Sequence, residues 1–113
     1  MKKVFVCSPF AGDIEGNTRK AIEYCRFEII QGNVPFAPHL LYPMMLCECD
    51  PEQRETGIRL GLEMLKVCDE LHVYGDRISN GMAREIAVWR DMGRTPMMCS
   101  VLGLIRKTEM NLT

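Results

Sequence analysis

The residues best suited to chemistry lie in the stretch 69–85, Asp-Glu-Leu-His-Val-Tyr-Gly-Asp-Arg-Ile-Ser-Asn-Gly-Met-Ala-Arg-Glu. A carboxylate such as Glu85 can attack an electrophilic carbon if it is held close to it and partly shielded from water. Its neighbours supply the setting. Leu71 and Val73 have strand character and Gly75 ends the run. Ser79 is a good N-cap for a helix whose Met82, Ala83, Ile86 and Ala87 recur at helical spacing. Glu85 then lies about one and a half turns inside that helix, too deep to reciprocate the cap. It either pairs with Arg84 or Arg90 on a solvated face, the commoner arrangement, or points over the strand ends into a cleft. Gly81 leaves the N–H groups of residues 80–82 open to close approach, and a helix N-terminus favours an anion. Ser79, Asn80 and Gly81 read equally well as an anion site and as an ordinary capped first turn.

The elements that must position these residues alternate between strand and helix. Residues 3–8 form a short apolar run with β-branched and aromatic residues, ended by Pro9, and read as a strand buried on both faces. The loop 10–16 follows, with Asn17 as the expected cap of a helix carrying Ala21, Ile22, Cys25 and Ile29 on one stripe and stopping at Gly32. Residues 34–38, with two prolines, suit an edge strand. An apolar connection over residues 40–49 leads to Asp50-Pro51, a cap followed by proline at the first helical position, and Ile58, Leu62 and Leu65 mark the buried stripe up to Val67. The strand and helix of the first paragraph come next, ending at Gly93. Residues 96–101 read as a fourth strand, and the tail 102–113 as a fifth strand or a segment packed on a neighbour.

Strands alternating with helices imply an α/β fold of the small doubly wound, flavodoxin- or Rossmann-like kind: a parallel sheet of four to five strands with helices on both faces. Ligands of such sheets sit beyond the carboxyl ends of the strands where the strand order reverses, here between the loops after the first and third strands. That topology aims Ser8, Asp13, Asp76, Ser79 and the start of the third helix at one crevice. His39, in the loop after the second strand, either reaches a ligand or bonds a backbone carbonyl. Asp13 can equally cap or solvate its own loop.

One domain over residues 1–113 is expected from the length, and a hydrophobic fraction of 47% with 26% charged residues is that of a globular chain. A net charge of -1 gives no reason to expect nucleic acid or an anionic membrane as partner. The apolar N-terminal run is too short for a signal-peptide core and no stretch reaches transmembrane length, so a cytoplasmic protein is expected. The six cysteines are read as reduced, most of them lying in apolar patterns. The close pair Cys47-Glu-Cys49 lacks the spacing and second ligand pair of a zinc site. There is no Gly-x4-Gly-Lys-Ser loop, and without a Gly-x-Gly-x-x-Gly turn after the first strand a nicotinamide or flavin dinucleotide is not expected. No cofactor or metal is expected. The apolar, Met-rich connection 40–49 points to a homo-oligomer.

Three features together resemble the nucleoside 2-deoxyribosyltransferase-like family, which includes the 2'-deoxynucleoside 5'-monophosphate N-glycosidases. They are Val4-Phe-Val-Cys-Ser-Pro-Phe10, the strand 69–75, and Ser79-x-Gly81-x-x-x-Glu85 followed by Gly93-Arg-Thr-Pro96. The resemblance spans residues 4–98. It implies cleavage or transfer of the N-glycosidic bond of a deoxynucleoside or its 5'-monophosphate, with Glu85 forming a covalent deoxyribosyl ester as in retaining glycoside hydrolysis. It also implies that Ser79 and Gly81 hold the 5'-phosphate and that Ser8 and its loop, with Phe10, cover the sugar. The monophosphate branch carries an aspartate upstream of the glutamate that assists the leaving base, and the matching region here holds Gly61. Loss of a general acid commonly costs about 10²–10⁴-fold. Asp76, Asp13 or His39 then has to substitute, or the chain is a non-catalytic nucleotide-binding module of the same fold.

Overall fold

The computed structural model describes residues 1–99. Strand β1 (Lys3–Cys7) leads to helix α1 (Ile14–Ile30) and strand β2 (Val34–Phe36). Two 3-10 turns, Pro38–Leu40 and Tyr42–Met44, connect β2 to α2 (Pro51–Val67). Then come β3 (Glu70–Val73), α3 (Asn80–Asp91) and β4 (Met97–Met98). The four strands form one parallel sheet in the order β2-β1-β3-β4. This is the expected α/β architecture, with β2 at an edge.

Side chains alternate across β1 and β3, so each strand feeds two cores. Phe5, Cys7, Leu71 and Val73 pack with Leu65 of α2 and with Met82 and Trp89 of α3. On the opposite face Val6 and Tyr74 pack with Tyr24 of α1 and with Ala37. Helices therefore cover both faces, α1 alone on one and α2 with α3 on the other. Arg84 of α3 clamps Glu55 of α2 through two guanidinium bonds of 2.8 and 3.3 Å.

Four sequence readings are corrected. The cap of α1 is Asp13, whose carboxylate accepts from the Gly16 N–H at 3.1 Å, and Asn17 lies inside the helix. Asn17 instead donates to the carbonyls of Phe10 and Ala11, at 3.0 and 3.3 Å, and pins the loop after β1. The buried stripe of α1 is Asn17, Ala21, Tyr24 and Glu28, while Ile22 and Ile29 face outward. Glu28 displaces them because His72 and Tyr74 of the sheet give its carboxylate partners. Cys47 and Cys49 form a disulfide. An exposed turn brings their Cα atoms to 5.3 Å, inside the range a disulfide bridges. The other cysteines of the described residues, Cys7, Cys25, Cys68 and Cys99, are free thiols. Finally, β4 spans only Met97–Met98; residues 100–101 and the tail 102–113 lie outside the described residues.

Candidate active site

The chain leaves β1 towards β2 on one side and β3 towards β4 on the other, so the strand order reverses between β1 and β3. Their carboxyl ends are register partners, Cys7 opposite Val73, and the Tyr74 N–H donates to the Cys7 carbonyl at 2.8 Å. The two turns that follow abut. Gly75 has φ +104°, and a Cβ there would stand 3.0 Å from Pro9 Cδ. Glycine is thus required both by the backbone angle and by the close approach.

Ser8 is the first residue past β1 and is 1% exposed, and its Oγ has no hydrogen-bond partner. A buried hydroxyl without a partner costs free energy that a ligand can return. Beside it lies His39 of the first 3-10 turn. Burial drives the His39 pKa down to about 4, against a smaller opposing effect of the Ser8 backbone carbonyl, which accepts the ring N–H. The imidazole is therefore neutral at physiological pH, with its other nitrogen an acceptor. Its ring stacks on Phe10, centroids 4.7 Å apart and planes at 19°.

Glu85 does not take the solvated-face role, since Arg84 is engaged by Glu55. The residue is half-buried and its Oε1 is sealed from solvent without a hydrogen-bond partner. Burial raises its pKa to about 7, opposed by a hydrogen bond from the Cys7 thiol. Three residues earlier on the same helix, Met82 faces the sheet. A buried carboxylate whose pKa lies near neutrality suits covalent or general acid–base chemistry.

At the start of α3, Ser79 Oγ accepts from the Met82 N–H at 3.3 Å and Gly81 is open, a Cβ there meeting nothing within 4 Å. Ser79, Asn80 and Gly81 therefore line one end of the helix that carries Glu85, and Asn80 is exposed. Asp13 is occupied as the α1 cap. Asp76 is exposed in the loop after β3, where its charge acts on the Tyr24 hydroxyl on the α1 side of the sheet. Ser8, Phe10 and His39 thus form one group and Cys7 with Glu85 another, joined by the Cys7–Ser8 peptide; Asp13 and Asp76 belong to neither. Beside these residues the sequence did not single out Cys7, which ends β1 on the side that faces α3, or Arg77, whose guanidinium would lie 3.7 Å from a Cβ at Gly12 in the loop after β1.

Gly61, which stands where the resembled family carries an acid, is buried in α2 against the first 3-10 turn. A Cβ there would stand 3.4 Å from the Pro38 Cβ, in ordinary van der Waals contact, so position 61 borders the turn that carries His39. No cluster of described residues has the composition to hold a metal ion, and no helix among them is long and apolar enough to cross a membrane.

The profile of DUF7768, a domain of unknown function, matches residues 2–98. The chain belongs to that family. Among solved structures, this DUF7768 domain is similar to a 2-deoxyribosyltransferase from the psychrotolerant bacterium Bacillus psychrosaccharolyticus. The TM-score is 0.68 at 20% sequence identity, over 85% of this chain and 70% of that one. At that identity the likeness establishes a shared fold. No curated protein sequence matches.

Proposed function

We propose that this domain cleaves or transfers the N-glycosidic bond of a 2'-deoxynucleoside or its 5'-monophosphate, with Glu85 as nucleophile. The observation that carries this reading is the pair of buried, unpartnered oxygens, Glu85 Oε1 and Ser8 Oγ, contributed by α3 and the end of β1 at the switch point of the sheet. The shared fold with a 2-deoxyribosyltransferase supports it.

In this mechanism an ionised Glu85 oxygen attacks the anomeric carbon as the bond to the base breaks, and the bonding electrons leave with the base, which takes up a proton. Water or a second base then attacks the same carbon and returns the carboxylate. Ser8 and the acceptor nitrogen of His39 bind sugar hydroxyls, Phe10 covers the ring, and Ser79, Asn80 and Gly81 take the 5'-substituent at the helix N-terminus. His39 gives its ring N–H to the Ser8 carbonyl and Asp13 caps α1, so of the three candidates to assist the base Asp76, exposed in the loop after β3, is the one left without such a role, and it has to reach the base from outside both groups of site residues. The protein works as a homo-oligomer, hiding exposed Leu41, Met44 and Met45; a monomeric mass by light scattering refutes that assembly.

The test is base release from the four deoxynucleoside 5'-monophosphates and the matching nucleosides, followed by chromatography and compared with Glu85→Ala. Release that vanishes in the variant supports the reading. Nucleotide-dependent thermal stabilisation without release from any substrate supports instead a binding module, the reading favoured by Gly61.

A further inference from the structure

Disulfides that stabilise a fold join segments far apart in the chain, because the constraint they place on the unfolded state grows with the loop they close. Cys47–Cys49 does the opposite. It closes a ring with one residue, Glu48, inside it, and it joins no two elements of the fold. Both cysteines are exposed in the turn before α2, whereas the free thiols Cys7 and Cys68 are buried and Cys25 and Cys99 half-buried. Nor is the bridge what holds its own turn. The Gln53 side chain accepts from the Cys47 N–H at 2.7 Å and donates to the Asp50 carboxylate at 3.1 Å, and the Asp50 N–H donates back to the Cys47 carbonyl at 3.2 Å. The other Asp50 oxygen caps α2 through the Glu52 N–H. These bonds tie the turn to the helix whether or not the sulfurs are joined. They keep the two thiols of an opened bridge within reach of each other, with Cα atoms 5.3 Å apart. The pair is no part of a metal site, since no cluster of three metal-binding side chains occurs among the described residues. An exposed bridge of little structural weight, between sulfurs that a separate frame holds together, is of the labile kind that exchanges with other thiols.

We propose that Cys47 and Cys49 are a reversible dithiol–disulfide centre that exchanges with small thiols and their disulfides, independently of Glu85. Its partner is neutral or cationic, because residues 47–54 carry Glu48, Asp50 and Glu52 against Arg54 alone. A thiolate of the partner attacks one sulfur of the bridge. The S–S bond breaks, a mixed disulfide forms, and the other cysteine leaves as a thiolate that takes a proton from water. A second partner thiolate attacks the partner's sulfur in the mixed disulfide and releases the remaining cysteine thiolate, which is protonated in turn. Two electrons have then passed from two thiols to the bridge, and the partner departs as its own disulfide. The reverse steps oxidise the pair.

The intact domain is equilibrated without oxygen in cysteamine and cystamine at ratios from about 1:100 to about 100:1, quenched in acid, alkylated and read by peptide mass spectrometry. That readout reports Cys47 and Cys49 apart from the other four cysteines. The pair is expected to pass from disulfide to dithiol within this range, with an unchanged circular dichroism spectrum and without accumulation of mixed disulfide. Cys47→Ser cannot close the ring, so at oxidising ratios it keeps cysteamine bound to Cys49. A bridge that stays closed at the most reducing ratio, thiols that stay open at the most oxidising one, or loss of helix on reduction overturns the proposal. The charge of the partner is tested by the rate of bridge opening under cysteamine and under mercaptoacetate, each divided by the rate of the same thiol on the disulfide of mercaptoethanol. The quotient favours cysteamine by roughly three- to tenfold at low salt and falls as ionic strength rises; a quotient of about one at low salt, or below it, overturns the assignment of the partner.

Discussion

Removing the candidate nucleophile is predicted to make the protein more stable. Burial lifts the Glu85 pKa from its ordinary value of 4.5 to about 7. In the unfolded chain the same carboxyl ionises near its ordinary value, so between the two the folded state holds a proton that the unfolded state has released. The sign follows. Below about 4.5 the carboxyl is protonated in both states and the perturbation has no effect. As pH rises to about 7 the wild type progressively loses stability, and above that the whole penalty is present. At about 1.4 kcal/mol per pH unit of pKa change, the rise corresponds to about 3 kcal/mol. Glu85→Gln keeps the shape and abolishes the charge, so at pH 8 it recovers most of that figure. For a domain of this size each kcal/mol moves Tm by about 4 °C, giving a gain on the order of 10 °C at pH 8 and none at pH 4. Thermal unfolding of both proteins by circular dichroism across pH 4–9 measures it. A Gln variant less stable than wild type at pH 8, or a difference that does not grow with pH, would refute the burial argument and return Glu85 to a solvated face.

If Glu85 attacks as the carboxylate, kcat/KM for base release rises through an acid limb near pH 7, opposite in sense to the stability, which a pH–rate profile checks. Gly75→Ala forces a side chain into φ +104° and onto Pro9, which costs about 1–3 kcal/mol in denaturant unfolding and lowers base release by displacing Ser8. Glu28→Ala strands His72 in the core without its buried partner and lowers stability by about 3–5 kcal/mol. That cluster also sets a pH window. Despite burial, bonds from His72, Tyr74 and Asn33 hold Glu28 below its ordinary 4.5, so its contribution is present above that value and is lost in acid. Despite burial, Glu28 and Glu70 hold His72 above its ordinary 6.5, so its contribution is present below that value and is lost in alkali. Reducing the Cys47–Cys49 disulfide, which closes a very short loop, lowers stability by less than about 2 kcal/mol in unfolding with and without reductant.

The fold was legible because its punctuation is strong. Asp50-Pro51 and Ser79 sit at the caps of α2 and α3, Gly32 and Gly93 follow the ends of α1 and α3 in the left-handed region, and Pro35 falls on the edge strand. The misreadings share one cause: local pattern was taken where a tertiary contact decides. Ile22 and Ile29 fit a helical stripe as well as Tyr24 and Glu28 do, and only the polar side chains of β3 turn α1 the other way. Asn17 looked like a cap because its true role, holding the carbonyls of Phe10 and Ala11, requires knowing that the loop folds back. In the proposed site, topology and residue type led to Ser8, His39, Ser79 and Glu85, and the sequence could not tell that burial would leave Ser8 Oγ and Glu85 Oε1 without partners, because that depends on what the rest of the chain packs around them.

The two carboxylates on the inner faces of the helices differ in a way that bears on the proposed site. Glu28 and Glu85 are both pressed against β-strands, yet their pKa values move in opposite directions. Glu28 receives bonds from His72, Tyr74 and Asn33, which outweigh its burial and tie α1 to β3. Such a group has no spare capacity, and its work is structural. Glu85 receives one weak thiol donor, keeps an oxygen unpartnered, and stands at the strand ends instead of in mid-sheet. A fold that supplies three donors to one buried carboxylate could do so for the other, and Ser8 carries an unused hydroxyl close by in sequence to Cys7. Glu85 is left under-bonded at a cost of about 3 kcal/mol, a cost of the kind that the donors around Glu28 offset on the other face of the sheet, and a ligand that donates to its free oxygen would return part of it.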